Sequence, residues 1–202
     1  MIQKLVDIIV KQQVEKGIIS KEEVDIYKYG YYLLLEIIMN IIIAIFIGFI
    51  FRDIKTVIIF LLIYIPLRTY SGGWHANRLW KCTLISNFIL ITAEIIVNCW
   101  IQYVSRSISL LIVTCCVVII LFMSPIDTET KRLNDIEKKI YKRKTYIIVV
   151  IQMCILTACV MFCGGKYSII IEYAYLVQAV MLVAEKVIKN NKNIESCRKN
   201  ML

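Results

Sequence analysis

The sequence predicts an all-α integral membrane protein with about six transmembrane helices and an amphipathic helix at its N-terminus. Of the 202 residues, 59% are hydrophobic, against roughly 45 to 50% in a soluble domain. The mean hydropathy is +0.72. The apolar residues fall into blocks separated by short basic stretches, as in chains of membrane helices. The blocks are rich in Ile, Leu and Val, which is typical of helices rather than of a porin-like barrel.

The first thirty residues carry charges throughout, so they lack the uncharged core of a signal peptide. Apolar residues recur there at helical spacing with lysines between them, at Ile2, Leu5, Val6, Ile9 and Val10. This pattern is typical of a basic amphipathic helix on an anionic membrane surface, and equally of a helix packed on the rest of the protein. We expect residues 1–30 to form a cytoplasmic N-terminal segment.

Six apolar blocks define a transmembrane catalytic domain at 31–188, which precedes a basic cytoplasmic tail at 189–202. The blocks are 31–51, 56–67, 83–104, 108–123, 145–163 and 168–188. The second block is short, because its twelve residues span only about 18 Å of a hydrocarbon core of roughly 30 Å. Either this block is extended through 68–70, or it is re-entrant.

The distribution of Lys and Arg supports six crossings. If all six blocks cross, twenty of the 24 Lys and Arg residues lie on one side of the membrane, together with both termini. Loops that stay in the cytoplasm are enriched in these residues. We therefore expect both termini in the cytoplasm, and the segment 68–82 at the cytoplasmic interface.

The segment 68–82 concentrates the residues that carry chemistry. It contains His75, which is the one histidine of the chain, and Cys82, the one cysteine of eight beside a charged, aromatic and glycine-containing cluster. Histidine accepts a thiol proton near neutral pH, and an ionised cysteine is a strong nucleophile. Nearby Lys81 and Arg78, and a helix N-terminus before the third apolar block, would favour the thiolate.

Gly72 and Gly73 permit a tight turn beside a substrate, and their N–H groups are candidates for an oxyanion site. On a continuous helix, His75 and Cys82 would lie about 10.5 Å apart along the axis, whereas proton transfer needs a reach of roughly 3 Å. We therefore expect the helix to break between them. Spacing alone leaves open that the two residues are incidental and that Trp74 anchors the chain at the interface.

Glu36 and Asn40 lie four residues apart, on one face of the first apolar block. Ionisable residues within a membrane are costly and often functional. This pair is a candidate to orient His75, or to make a structural polar contact between helices. No metal and no other cofactor is expected, because one histidine without a second ligand pair falls short of the usual four ligands.

The chain resembles the accessory gene regulator protein B (AgrB) family of bacterial quorum-sensing peptide processors at Arg68, Gly72, Gly73, His75, Ala76 and Cys82. The resemblance extends over nearly the whole chain and includes Glu36 and the basic loop that begins at Ser124. It implies a multi-pass protein of the bacterial cell membrane that acts as a homodimer. The expected partners are the lipid bilayer and an AgrD-type propeptide, and no nucleic acid.

The resemblance further implies that Cys82 attacks a peptide bond of the propeptide with His75 as the base. The C-terminal part is released, and a cysteine or serine of the bound remainder displaces Cys82 to give a cyclic thiolactone or lactone. The net charge of +9 would attract the acidic tail of such precursors. The residues expected to support the dyad or to bind the substrate are Glu36, Asn40, Arg68, Ser71, Gly72, Gly73, Asn77, Arg78, Lys81, Lys131 and Arg132.

The alternative is a non-catalytic membrane peptide transporter or scaffold. A transporter would use the carboxylates inside the membrane, and a scaffold would bind peptide on the basic face. Either function would survive Cys82→Ala, whereas an endopeptidase would not.

Overall fold

The computed structural model of the protein describes residues 2–20, 22–73, 79–100, 105–126, 133–163 and 165–199. These residues form seven α-helices and no strands. The helices are α1 (Ile2–Glu15), α2 (Val24–Ile50), α3 (Ile54–Ser71), α4 (Leu79–Ile95), α5 (Arg106–Met123), α6 (Asp135–Ala158) and α7 (Gly165–Lys199). Two π-helical turns, Ile96–Trp100 and Cys159–Cys163, extend α4 and α6. The predicted all-α fold is confirmed.

Six helices, α2 to α7, are long and apolar enough to cross a membrane. The short second block belongs to α3, which has 18 residues and therefore reaches about 27 Å. Of the two alternatives for this block, the extended helix is the one observed. Only 17% of the α5 span and 44% of the α7 span is buried, so much apolar surface faces outward, as lipid permits. Leu62 and Phe122, for example, are 67% and 85% exposed.

Contacts of α3 with α7 show that these two helices run in the same direction. Asp53, directly before α3, lies 2.6 Å from Lys166 at the start of α7. Ser71 at the end of α3 accepts a hydrogen bond from Gln178, farther along α7. We call the end of the bundle where α3 begins the Asp53 end, and the end where α3 stops and α4 begins the glycine end.

α6 runs in the opposite direction to α3. Tyr141, near the start of α6, packs against Tyr70 at the glycine end, with ring centroids 5.5 Å apart. Farther along α6, Gln152 bonds to the middle of α3. The connection between α5 and α6 therefore lies at the same end of the bundle as the connection between α3 and α4.

The turn between α2 and α3 is closed by its own residues. The Asp53 carboxylate accepts hydrogen bonds from the Thr56 N–H at 3.4 Å and the Thr56 hydroxyl at 2.6 Å, which caps α3. Burial opposes ionisation of Asp53, but hydrogen bonds from Lys166 and Thr56 outweigh burial and lower the pKa of its carboxyl. The fully buried Glu94 lies within electrostatic range of Asp53 and Lys166.

Pro66 lies inside α3, and neighbouring helices bond to the turn that contains it. Proline lacks the N–H that would bond to the carbonyl four residues earlier. In the same turn, the Ile63 carbonyl accepts a hydrogen bond of 2.8 Å from Gln152 Nε2 of α6. The Tyr175 hydroxyl of α7 donates to Gln152 Oε1 at 2.9 Å. Such contacts make a proline tolerable in a membrane helix, and this one joins α3, α6 and α7.

α1 packs along α2. Its Val6 and Val10 are buried, and Lys28 of α2 pairs with Asp7 at 2.7 Å. Packing on the rest of the protein is therefore observed, whereas contact of α1 with a membrane surface and the cytoplasmic position of the termini stay predictions. The boundaries expected at 30 and 188 fall inside α2 and α7.

Candidate active site

The backbone leaves α3 through a turn at 71–73 that leads toward His75. Gly72 and Gly73 have φ values of +77° and +122°, in a region that other residues rarely adopt. A Cβ on Gly72 would lie 2.6 Å from the Ile126 carbonyl oxygen, and a Cβ on Gly73 would overlap the Arg68 guanidinium. Gly72 is therefore required both by its conformation and by the neighbouring backbone, whereas Gly73 is favoured by its conformation, since the Arg68 side chain could move.

Side chains from α3 and α7 hold this turn. The Gly72 carbonyl accepts two hydrogen bonds, 2.7 Å from Arg68 Nη1 and 2.8 Å from Gln178 Nε2. Gln178 Nε2 also donates to Ser71 Oγ at 2.6 Å, and Ser71 Oγ donates to the Leu67 carbonyl at 2.6 Å. Ser71 and Gln178 are fully buried. Polar groups that are bonded in a low-dielectric interior specify one geometry, so α7 fixes the start of the loop.

The segment after α5 contacts the turn from another side. Gly72 and Ile126 form a single parallel β-bridge, in which the Ile126 N–H donates to the Ser71 carbonyl at 3.2 Å. The bridge directs the Gly73 N–H toward the Ile126 carbonyl, and the Gly72 N–H donates to the Arg68 carbonyl at 3.2 Å. Both glycine N–H groups thus face acceptors of this chain, and their oxyanion role stays a prediction.

Cys82 lies in the first described turn of α4, which begins at Leu79. Its side chain is partly buried. Cys82 and Arg68 both lie within electrostatic range of the Tyr64 hydroxyl of α3. The partial positive charge of a helix N-terminus stabilises an anion such as a thiolate. Cys82 and Arg68, which the sequence assigned to one site, are thus both near Tyr64. Lys81, next to Cys82 in the chain, is exposed.

Other predicted site residues fall outside the described part of the chain. They are His75, Asn77, Arg78, Lys131 and Arg132. Nothing of the Glu36 side chain is described either, although its backbone belongs to α2. α3 and α4 are separate helices, but the expected break between His75 and Cys82 falls partly in 74–78. The dyad contact and this break stay predictions.

Basic residues of α6 flank the glycine end. Lys144 Nζ lies 4.9 Å from the centre of the Tyr70 ring, which is a cation–π geometry. Lys142 and Arg143 are exposed beside it. The positive charge that follows the connection between α5 and α6 is therefore near the turn at 71–73.

The family model for accessory gene regulator B matches residues 2–182 of the chain. The chain belongs to the AgrB family. This family takes part in accessory gene regulator quorum sensing, and the family resemblance inferred from the sequence is confirmed.

Relatives of this AgrB-family chain share part of their length with it. FsrB of Enterococcus faecalis is 24% identical over 152 residues, which cover 72% of this chain and 59% of that protein. Two AgrB-like proteins of Clostridium perfringens are 28% and 30% identical over 127 residues, or 59% of this chain and 58% of each relative. The chain thus spans about three-fifths of the length of these relatives. No solved structure matches it.

Gln178 is one site residue of this AgrB-family chain that the sequence pattern did not single out. Its signal was present, because a glutamine in the middle of the last apolar block needs a partner if it is buried. The identity of that partner was not readable, since Gln178 and Gly72 are 106 positions apart. Asn40, which was singled out, lines a cavity described below.

Proposed function

We propose that this chain is a membrane-embedded cysteine endopeptidase that cleaves an AgrD-type propeptide at its C-terminal side. The observation that carries the proposal is the match to the AgrB family over residues 2–182. The position of Cys82 in the first described turn of α4, within electrostatic range of Tyr64 of α3, supports it. Cys82 is the proposed nucleophile and His75 the proposed base.

The proposed reaction begins when His75 takes the thiol proton of Cys82. The sulfur attacks the scissile carbonyl carbon, the C–N bond breaks, and His75 returns the proton to the leaving amine. The C-terminal fragment departs, and the rest of the peptide is held as a thioester. A cysteine thiol of that peptide then attacks the thioester carbonyl, and its proton passes to Cys82, which leaves a cyclic thiolactone. A serine in the same place would give a lactone.

Three features of the glycine end support this chemistry. The start of α4 favours a thiolate at Cys82. The turn at 71–73 fixes the backbone two residues before His75, since Arg68 and Gln178 both bond to Gly72. The turn follows the end of α3, which is consistent with a reaction at the membrane interface, predicted from the charge distribution to be the cytoplasmic one.

Basic residues at the glycine end are proposed to attract an acidic segment of the propeptide. Lys144 of α6 lies over the ring of Tyr70, directly before the turn, Lys142 and Arg143 next to it are exposed, and Lys131 and Arg132 precede them in the chain. Replacement of Lys131 and Arg132 by Ala should weaken propeptide binding and reduce its dependence on salt. Homodimerisation stays a prediction.

The experiment that tests the function uses the purified full chain in lipid vesicles with the propeptide encoded nearest to its gene. Wild type, Cys82→Ala, His75→Ala and the control Cys115→Ala, an exposed cysteine of α5, are compared by mass spectrometry. Wild type and Cys115→Ala should release a C-terminal fragment and leave a cyclic product one water lighter than the linear peptide. The other two variants should not.

If Cys82→Ala and His75→Ala process the propeptide like wild type, the dyad is wrong. If all four bind the peptide but none cleaves it, the scaffold function is correct instead. Movement of intact peptide across the vesicle membrane by Cys82→Ala would favour the transporter.

A further inference from the structure

A cavity of about 230 Å³ lies between α2, α3 and α4. Apolar residues, among them Ala44, Phe60 and Leu90, form most of its wall. The volume is below the roughly 300 to 1,000 Å³ of pockets for drug-sized ligands. It is suited to a part of a larger ligand, such as one side chain with its adjoining backbone.

The cavity lies next to Cys82. Ser86 in its wall follows Cys82 by four residues, which places the two on one face of α4, about 6 Å apart along the axis. Tyr64, in the opposite wall on α3, is within electrostatic range of Cys82. Cys82 is not itself part of the cavity wall, and it lies one helical turn from Ser86, toward the glycine end.

Two side-chain amide oxygens in the cavity wall have no hydrogen-bond partner in the part of the chain that the structure describes. Asn40 Oδ1 of α2 and Asn87 Oδ1 of α4 are buried, and neither has a hydrogen-bond partner among the described residues. A buried acceptor without a donor costs about 1 to 3 kcal/mol, so an occupant that brings donors is favoured. A lipid acyl chain brings none, whereas a peptide backbone brings N–H groups at regular spacing.

We propose that this cavity binds the propeptide residue whose carbonyl Cys82 attacks. An apolar side chain of that residue fills the cavity, and peptide N–H groups next to it donate to Asn40 and Asn87. This inference rests on the proposed endopeptidase function and deepens it. The proposed site accounts for the two asparagines, on different helices, that line a mostly apolar cavity about one helical turn from the Cys82 thiol.

The first test changes the size of the cavity. In Ser86→Phe the new ring occupies the space, so the residue preceding the cleaved bond should have to be smaller. Propeptides with Leu or Ala at that position are compared in vesicles, and kcat/KM for Leu relative to Ala should fall at least about tenfold in Ser86→Phe. Partial unfolding would lower kcat/KM for both propeptides equally and would leave their ratio unchanged. A Leu-to-Ala ratio equal to that of wild type would therefore overturn the subsite.

The second test removes the proposed hydrogen bonds from either side. Asn87→Leu and Asn40→Leu should each lower kcat/KM roughly 3- to 10-fold. N-methylation of the apolar residue's own amide nitrogen, which is not part of the bond that breaks, should lower it similarly in wild type, but not further in the matching Asn variant. The control Asn98→Leu concerns an asparagine of the π-helical turn after α4, which donates to the Glu94 carbonyl at 2.9 Å, and N-methylation should affect this variant as it affects wild type.

The outcomes separate the subsite from the endopeptidase function. Additive effects of N-methylation and Asn87→Leu, with cleavage intact, would show that the asparagines do not touch the peptide. If Asn40→Leu and Asn87→Leu lowered kcat/KM by the same factor for the Leu and the Ala propeptide, the result would point to a lipid or water in the cavity. The function itself fails if Cys82→Ala cleaves like wild type, or if wild type does not cleave the propeptide.

Discussion

The two ends of α3 are held by different means. At the Asp53 end, the capping carboxylate bonds to Thr56, three residues along the chain, and to Lys166. At the glycine end, side chains 4 and 106 positions away bond to the Gly72 carbonyl. At the Asp53 end, α7 therefore contacts only a side chain, through an ion pair whose lysine is partly exposed. At the glycine end, α7 bonds to the main chain itself through a fully buried amide, which fixes the backbone position that a catalytic loop needs.

The strongest test of this difference is Gly72→Ala. A methyl group there would meet the Ile126 carbonyl and oppose the φ of +77°, so the turn must shift. A displacement of about 1 Å costs up to about 10²-fold in rate, and we expect a loss of that order in propeptide cleavage. Gly30→Ala is the control, because nothing lies within 4 Å of a Cβ at Gly30. Cleavage by Gly72→Ala at the rate of Gly30→Ala would break the comparison.

A matched pair of glutamines separates positioning from stability. Gln178 and Gln152 are both buried and each joins α3 to another helix. Replacement of either by Leu should lower stability by about 1 kcal/mol, measured as thermal unfolding in detergent. Only Gln178→Leu should also lower kcat, by roughly tenfold, because only Gln178 bonds to the turn before His75. If both variants lost the same activity, Gln178 would have no special part in positioning.

The smallest effect is expected at the Asp53 end. Asp53→Asn removes the charge that pairs with Lys166 and should lower the unfolding temperature without changing cleavage. Because the pKa of Asp53 is lowered in the folded protein, its stabilisation is present above the ordinary aspartate pKa and disappears as pH falls through the folded-state pKa. The difference in unfolding temperature between wild type and variant should therefore vanish in acid. A difference that persists there would mean that packing, not charge, is involved.

The helices were readable from the sequence because apolar length and charge placement are local properties. Even the short second block followed this rule once its extension through Ser71 was included. The turn at Gly72 and Gly73 was readable because turn formers are concentrated in one segment, whereas the catalytic role assigned to Cys82 stays a prediction. Gln178 and Asn87 were not, because each is an ordinary polar residue until its neighbours from other helices are known. Pairing between helices is not encoded in the period of any one helix.

The carbonyl and the N–H of the peptide unit between Gly72 and Gly73 both face partners from other parts of the chain. A trans peptide group points its carbonyl and the following N–H in opposite directions. Here the carbonyl faces Arg68 and Gln178, while the N–H faces the Ile126 carbonyl. A flip of this peptide plane would break all of these contacts together. Ile126, which follows α5, and Gln178 of α7 are far from the segment 68–82 in the chain, yet they determine the direction in which its backbone leaves α3.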